Sequence, residues 1–302
     1  MTLTSPSARS VASSRILRFL VGPEYAEYTV HAAIVAHHSP ALEAMINGSF
    51  KESTDHCVKW QDVDEQVFLS FWRFIYTGNY RSPTFISTAK SVTDEQHTTE
   101  EEQVEANVTV EPEDFPPEEP APVPELEPME KLDAYAWSAA TPTKKKKKER
   151  HSAEENERSS RSRILLQDFQ NSWKRAPFEP IIDDQQVYER VNSRGETLIH
   201  HAKVYILGDR YLMTRLVDLA LGKLHEELVN LVIADNQSLD DVVSLLSFCF
   251  NNPSPPELRQ LVVHYAGCKV ESLWKREEFR ELVEGSGEFS KALVQTMLLR
   301  LD

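Results

Sequence analysis

Cysteine is scarce. Cys57, Cys249 and Cys268 are the only three; they lie far apart in largely apolar settings. A sparse, odd set offers neither a disulfide framework nor metal-ligand spacing. It reads as buried reduced thiols in a reducing compartment, which places the chain inside the cell, in cytoplasm, nucleus or both. Basic charge is also in deficit: 33 Lys and Arg stand against 48 Asp and Glu, for a net charge of -15. That balance argues against direct nucleic-acid binding, which needs a positive face. No apolar run approaches the roughly 18 residues of a membrane-spanning helix, so no membrane partner is expected. The opening MTLTSPSARSVASS lacks the apolar centre of a secretory signal and reads as a disordered tail over residues 1–14.

Catalytic signatures are missing too. No GxGxxG, phosphate-loop or GxSxG pattern occurs. His37-His38 and His200-His201 are adjacent pairs, whose side chains diverge on a helix, and no cysteine pair lies near them. His31 stands at a helix start, where a bond to a backbone carbonyl is expected. The carboxylates crowd into a low-complexity stretch that cannot hold a fixed acid–base pair. The chain is read as a non-enzyme with no cofactor and no metal.

What is present centres on Arg15 to Tyr80. ILRFLVG is a short apolar run ended by Gly22-Pro23, the pattern of a buried strand. Tyr28-Thr29-Val30 has the branched and aromatic composition of a returning hairpin strand. The apolar spacing then turns helical at Ile34 and Val35, breaks at Ser39-Pro40, and resumes at Leu42, Met45 and Ile46. Ser39 suits a helix cap and Pro40 a first turn. Cys57 to Trp60 is another short strand. A helix capped by Asp62 or Asp64 follows, with Val67, Phe68, Phe71, Trp72, Ile75 and Tyr76, stopped by Gly78.

The words FLVG, TVHAAIVAHHSPALEAMI, FKES and DVDEQVFLSFWRFIYTGNY stand in this order and at this spacing. Together they resemble the BTB/POZ domain, most closely its fungal members. The resemblance implies an α+β fold, a short mixed sheet with a cluster of helices. It also implies a protein-interaction module rather than an enzyme. Residues 15–82 form its first part.

After Tyr80 the composition shifts. Asp94 to Asp133 is rich in Glu and Asp with interleaved proline, and Lys131 is its only Lys or Arg. Such a segment buries too little apolar surface to offset chain entropy, so disorder is expected over 83–162. Within it the sign flips at Lys144, Lys145, Lys146, Lys147 and Lys148, a candidate nuclear import signal and equally a solvated linker.

Helical spacing returns with ILLQDF and Trp173, whose role stays open, and Gly195 reads as a turn. HHAKVYILGDRYLMTRLVDLALGKLHEELVN gives two helices with Asp209 as the cap between them. HAKVY and GDRYL resemble the helix pair that completes the BTB core. Residues 163–230 are therefore assigned to that core, and 83–162 becomes an insertion within one domain. Residues 231–302 read as a helical extension. In it, Ser254-Pro255-Pro256-Glu257 has capping-box spacing, and Gly285 and Gly287 separate the last helices. No Kelch, MATH or zinc-finger segment is legible.

Phe50, Lys51 and Glu52 resemble the hydrophobic–any–Glu triplet by which BTB adaptors of ubiquitin ligases contact a cullin scaffold. Read without the family, Phe50 simply covers the core. The resemblance also implies a homodimer. Ile16 stands where the family's first strand begins with Asp, which argues against the usual swapped form. Two functions follow: an adaptor or scaffold of a cullin-type ubiquitin ligase, or a nuclear regulatory cofactor without its own DNA-binding domain.

Overall fold

The computed structural model describes residues 7–49, 51–85, 162–175, 190–191, 193–231, 233 and 236–298. Strand β1 (Ile16–Val21) alternates exposed and buried positions, with Leu17, Phe19 and Val21 turned inward. Strand β2 (Ala26–His31) returns antiparallel to it, and β3 (Cys57–Trp60) lies parallel on its other side, giving the order β2-β1-β3. Between β2 and β3 lie α2 (Ala32–His38), α3 (Pro40–Asn47) and the short α4 (Lys51–Asp55). Ser39 caps α3, its hydroxyl accepting from the Leu42 N–H at 3.0 Å. Helix α5 (Glu65–Thr77) is capped by Asp64 and ends at Gly78, whose φ of 77° is a left-handed cap that glycine adopts without strain. Before β1, a short helix α1 (Ala8–Ala12) forms where a tail was expected; Ser7 caps it and Val11 packs against the core.

An aromatic cluster joins sheet to helix. The Phe19 ring lies 4.9 Å from Trp60 and 5.5 Å from Phe68, and Trp60 lies 5.2 Å from Phe71. Trp60 also stacks on Tyr211 at 4.8 Å, which ties β3 to a helix far along the chain. Edge and offset ring pairs add about 0.5–1.5 kcal/mol each beyond the area they bury.

The chain beyond residue 161 joins this same body: Met1–Ser87 and Ser152–Asp302 form one compact unit. Strand β4 (Thr84–Phe85), which falls where disorder was expected, runs parallel to β5 (Arg190–Val191). Helix α6 spans 162–172. Then come α7 (Arg194–Arg210), α8 (Thr214–Val229), α9 (Asn236–Asn251), α10 (Pro256–Leu273), α11 (Glu277–Gly285) and α12 (Gly287–Leu298).

Several local readings are corrected. Asp209 is not a cap: α7 runs through it, and the break falls at Leu212, a non-glycine residue at φ 55°. The spacing from Ser254 to Glu257 does not make a capping box. Pro255 is the cap, and Glu257 instead accepts from Tyr205 Oη at 3.0 Å and Arg175 Nη2 at 2.7 Å. His31 meets the Tyr76 hydroxyl at 2.8 Å rather than a carbonyl.

Gly195 is not a turn either. It lies buried in the first turn of α7, against α9. A Cβ there would stand 2.9 Å from Asp241 Oδ1 and 3.2 Å from its Cα. The buried Asp241 carboxylate accepts from the Gly195 N–H and, at 3.3 Å, from Gln237. Burial raises its pKa, against the pull of those donors. Ser193 caps α7 through the Glu196 N–H at 3.2 Å, and Asp241 of α9 adds a second acceptor at the same helix start. Gly195→Ala is expected to lose about 1–2 kcal/mol in chemical denaturation, although alanine alone would favour a helix by roughly 0.5–1 kcal/mol. In an Asp241→Ala background the same change is expected to cost measurably less.

Candidate protein-interaction site

The ledge that carries the FKE triplet is built from both sides. Leu42 and Ile46 anchor α3 in the core. The Ser39 hydroxyl donates to the Tyr211 carbonyl at 2.6 Å, fixing the start of α3 to the end of α7. At its other end, Arg15 Nη2 donates to the Ile46 carbonyl and, at 3.0 Å, to Asn47 Oδ1. Helix α4 follows at once and leads through His56, at φ 50°, into β3. Glu52 is half-buried in the first turn of α4, where a carboxylate is favoured by the helix dipole. Lys51 begins that helix. Phe50 and Lys144 to Lys148 lie outside the described residues.

A second feature was not foreseen from the sequence. A cleft of about 450 Å³ opens between the β3–α5 loop, α7 and the end of α9. Its apolar lining includes Val63, Val67, Ile206, Leu207 and Phe248. Two ion pairs cross it: Lys203 Nζ to Asp64 Oδ2 at 3.0 Å and Arg210 Nη1 to Asp62 Oδ2 at 2.6 Å. Burial would raise the Asp64 carboxyl, but Lys203 overcomes it and holds the pKa below the usual value. Both pairs are largely exposed, so each stabilises by no more than about 1 kcal/mol. The available signal was Lys203 and Arg210 seven residues apart, two turns along one helical face.

The His37 and His38 rings, expected to diverge, lie 4.9 Å apart, while His200 and His201 tie α7 to the first segment. His200 Nε2 bonds Ser70 Oγ at 2.9 Å. His201 Nδ1 meets Tyr80 Oη at 2.7 Å and its Nε2 meets Ser82 Oγ at 3.0 Å. Burial brings the His200 pKa down to about 4, and burial, then His200 and Lys223, pull His201 well below its ordinary value. Both are neutral at physiological pH. Cys249 and Cys268 are buried free thiols and Cys57 is half-buried. Among the described residues, no group of three or more His, Cys, Asp or Glu side chains is placed to hold a metal ion. Nor is any helix among them long and apolar enough to cross a membrane.

The BTB/POZ domain family matches residues 19–94. The chain is 42% identical over 52 residues to TD and POZ domain-containing protein 4 of Mus musculus, covering 17% of this chain and 14% of that protein. It is 39% identical over 61 residues to TD and POZ domain-containing protein 2 of the same organism, covering 20% and 16%. The chain thus spans only 14 to 16% of the length of these relatives. No solved structure matches it at a significant level. The ledge and the acidic wall of the cleft both fall within a BTB/POZ domain, a protein-interaction module.

The buried imidazoles set a pH dependence. The folded-state pKa of His200 lies below its unfolded value of 6.5, so its contribution is complete above pH 6.5 and is lost as pH falls towards about 4. At pH 5 the loss from His200 alone is expected to be about 2 kcal/mol. Thermal melts at pH 7 and pH 5 check this, and His200→Gln is expected to narrow the difference between them.

Proposed function

We propose that the chain is an adaptor or scaffold that contacts a cullin-type ubiquitin-ligase scaffold through Phe50, Lys51 and Glu52. The carrying observation is the position of the triplet: it follows a capped and doubly anchored α3, inside the matched BTB/POZ segment, with Glu52 on the helix that leads to β3. In sequence the triplet offers an aromatic residue next to charged ones, and aromatic anchors are common in interface hot spots. Protein partners are the ligands, and a homodimer is the expected assembly. The test is a pull-down of a purified cullin scaffold with the wild type and a Phe50→Ala/Glu52→Ala variant. The wild type is expected to retain the cullin and the variant to lose at least tenfold in binding, with equal melting temperatures. Failure of the wild type to bind overturns the reading.

The Lys144 to Lys148 run supports a second reading, a nuclear regulatory cofactor that lacks its own DNA-binding domain. Replacing all five lysines with alanine is expected to shift a fluorescently tagged chain out of the nucleus. An unchanged distribution removes the main support for this reading.

A further inference from the structure

Helix α6 is seated as a bound ligand would be. It lies in the groove between α8 and α10 and runs antiparallel to both. Ser162 reaches the Cys268 carbonyl at one end, and Arg175 reaches Glu257 and Asp218 at the other. Its anchors Leu165, Phe169 and Trp173 repeat every four residues, the spacing by which an amphipathic helix enters a groove. Phe169 is fully buried, its ring 5.0 Å from His225 on α8 and 5.3 Å from Tyr265 on α10. The Trp173 indole N–H donates to His264 Nδ1 at 3.0 Å, and His264 Nε2 lies 3.4 Å from Asp168. His225 Nε2 holds the Phe169 carbonyl at 3.2 Å.

The attachment is shallow beside that of its neighbours. Between 162 and 175 only Leu165 and Phe169 are buried, and Ile164 is 63% exposed. Helix α7, by contrast, buries ten of its 17 residues. The walls of the groove have supports other than α6, since α8 packs on α7 and α10 on α9, while Leu165 and Phe169 complete its buried lining. Covalent connection on both sides gives α6 a high effective concentration at the groove, which sustains weak docking in cis.

We propose that the α8–α10 groove is a helix-binding site that α6 occupies in cis. The partner it takes in trans is an amphipathic helix with an aliphatic anchor, an aromatic four residues on and Trp four further on. A carboxylate stands just before the aromatic and a basic residue closes the segment. This site is separate from the ledge that carries the FKE triplet, and it does not depend on the cullin reading.

The probe is a fluorescent peptide of residues 162–175, titrated by anisotropy against the full chain and its Leu165→Ala/Phe169→Ala variant. The folded variant is expected to bind the peptide at least tenfold more tightly than the wild type, whose own α6 competes. An unlabelled peptide carrying Phe169→Ala should fail to displace the probe. No binding by a folded variant, or equal binding by both chains, overturns the proposal. Should the variant unfold, a full chain with protease sites placed within 86–161 and 176–189 is cut after folding. Exchange of the freed segment for the labelled peptide, with the melt of the remaining body preserved, supports the proposal. A segment that does not exchange, or a body that unfolds on its loss, overturns it.

Discussion

The fold depends on one long helix that arrives late. Helix α7 supplies the surface against which α5, α8 and α9 all pack, yet it follows the sheet by more than a hundred residues of chain. What fixes it is a row of buried polar bonds to the first segment: Ser70 to His200, and Tyr80 and Ser82 to His201. Each of these groups would be costly to bury alone, by about 1–3 kcal/mol. They therefore specify one docking register, where an apolar face alone would tolerate slippage. The start of α3 and the end of β3 inherit that register, because Ser39 and Trp60 both hold Tyr211 just past the end of α7.

On its far side α7 meets the extension through Gly195 and Asp241. The absence of one Cβ allows a backbone–carboxylate contact that otherwise could not form. The C-terminal helices belong to the same compact unit as residues 1–87, and α9 supplies Phe248 to the wall of the cleft. The start of α7 is thus held from two sides, by its own Ser193 cap and by Asp241 of α9.

The legible elements were those specified locally. The alternation of Leu17, Phe19 and Val21, the Asp64 cap, the Ser39-Pro40 start and the Gly78 stop each act within a few residues, and the structure carries them. The helix pair expected in HHAKVYILGDRYLMTRLVDLALGKLHEELVN forms as α7 and α8. The misreadings share a cause, which is that a distant partner decided them. Gly195 looks like a turn unless Asp241 is known to lie against it. Glu257 looks like a capping residue unless Arg175 and Tyr205 are near. Helix α6 had apolar spacing but no visible destination, since its groove is made by helices dozens of residues downstream. The cleft was hidden for the same reason: Asp62 and Asp64 find their cations across the whole insertion.

The short pairing of Thr84–Phe85 with Arg190–Val191 gives the molecule a further property. Paired strands lie about 4.8 Å apart, so the chain departs and rejoins at practically one point. Helix α6 lies between those two strands in sequence and belongs to the same compact unit. The free-energy penalty of a closed loop rises by only about 0.6 kcal/mol for each doubling of its length. The body is therefore nearly indifferent to how much sequence is threaded between those anchor points.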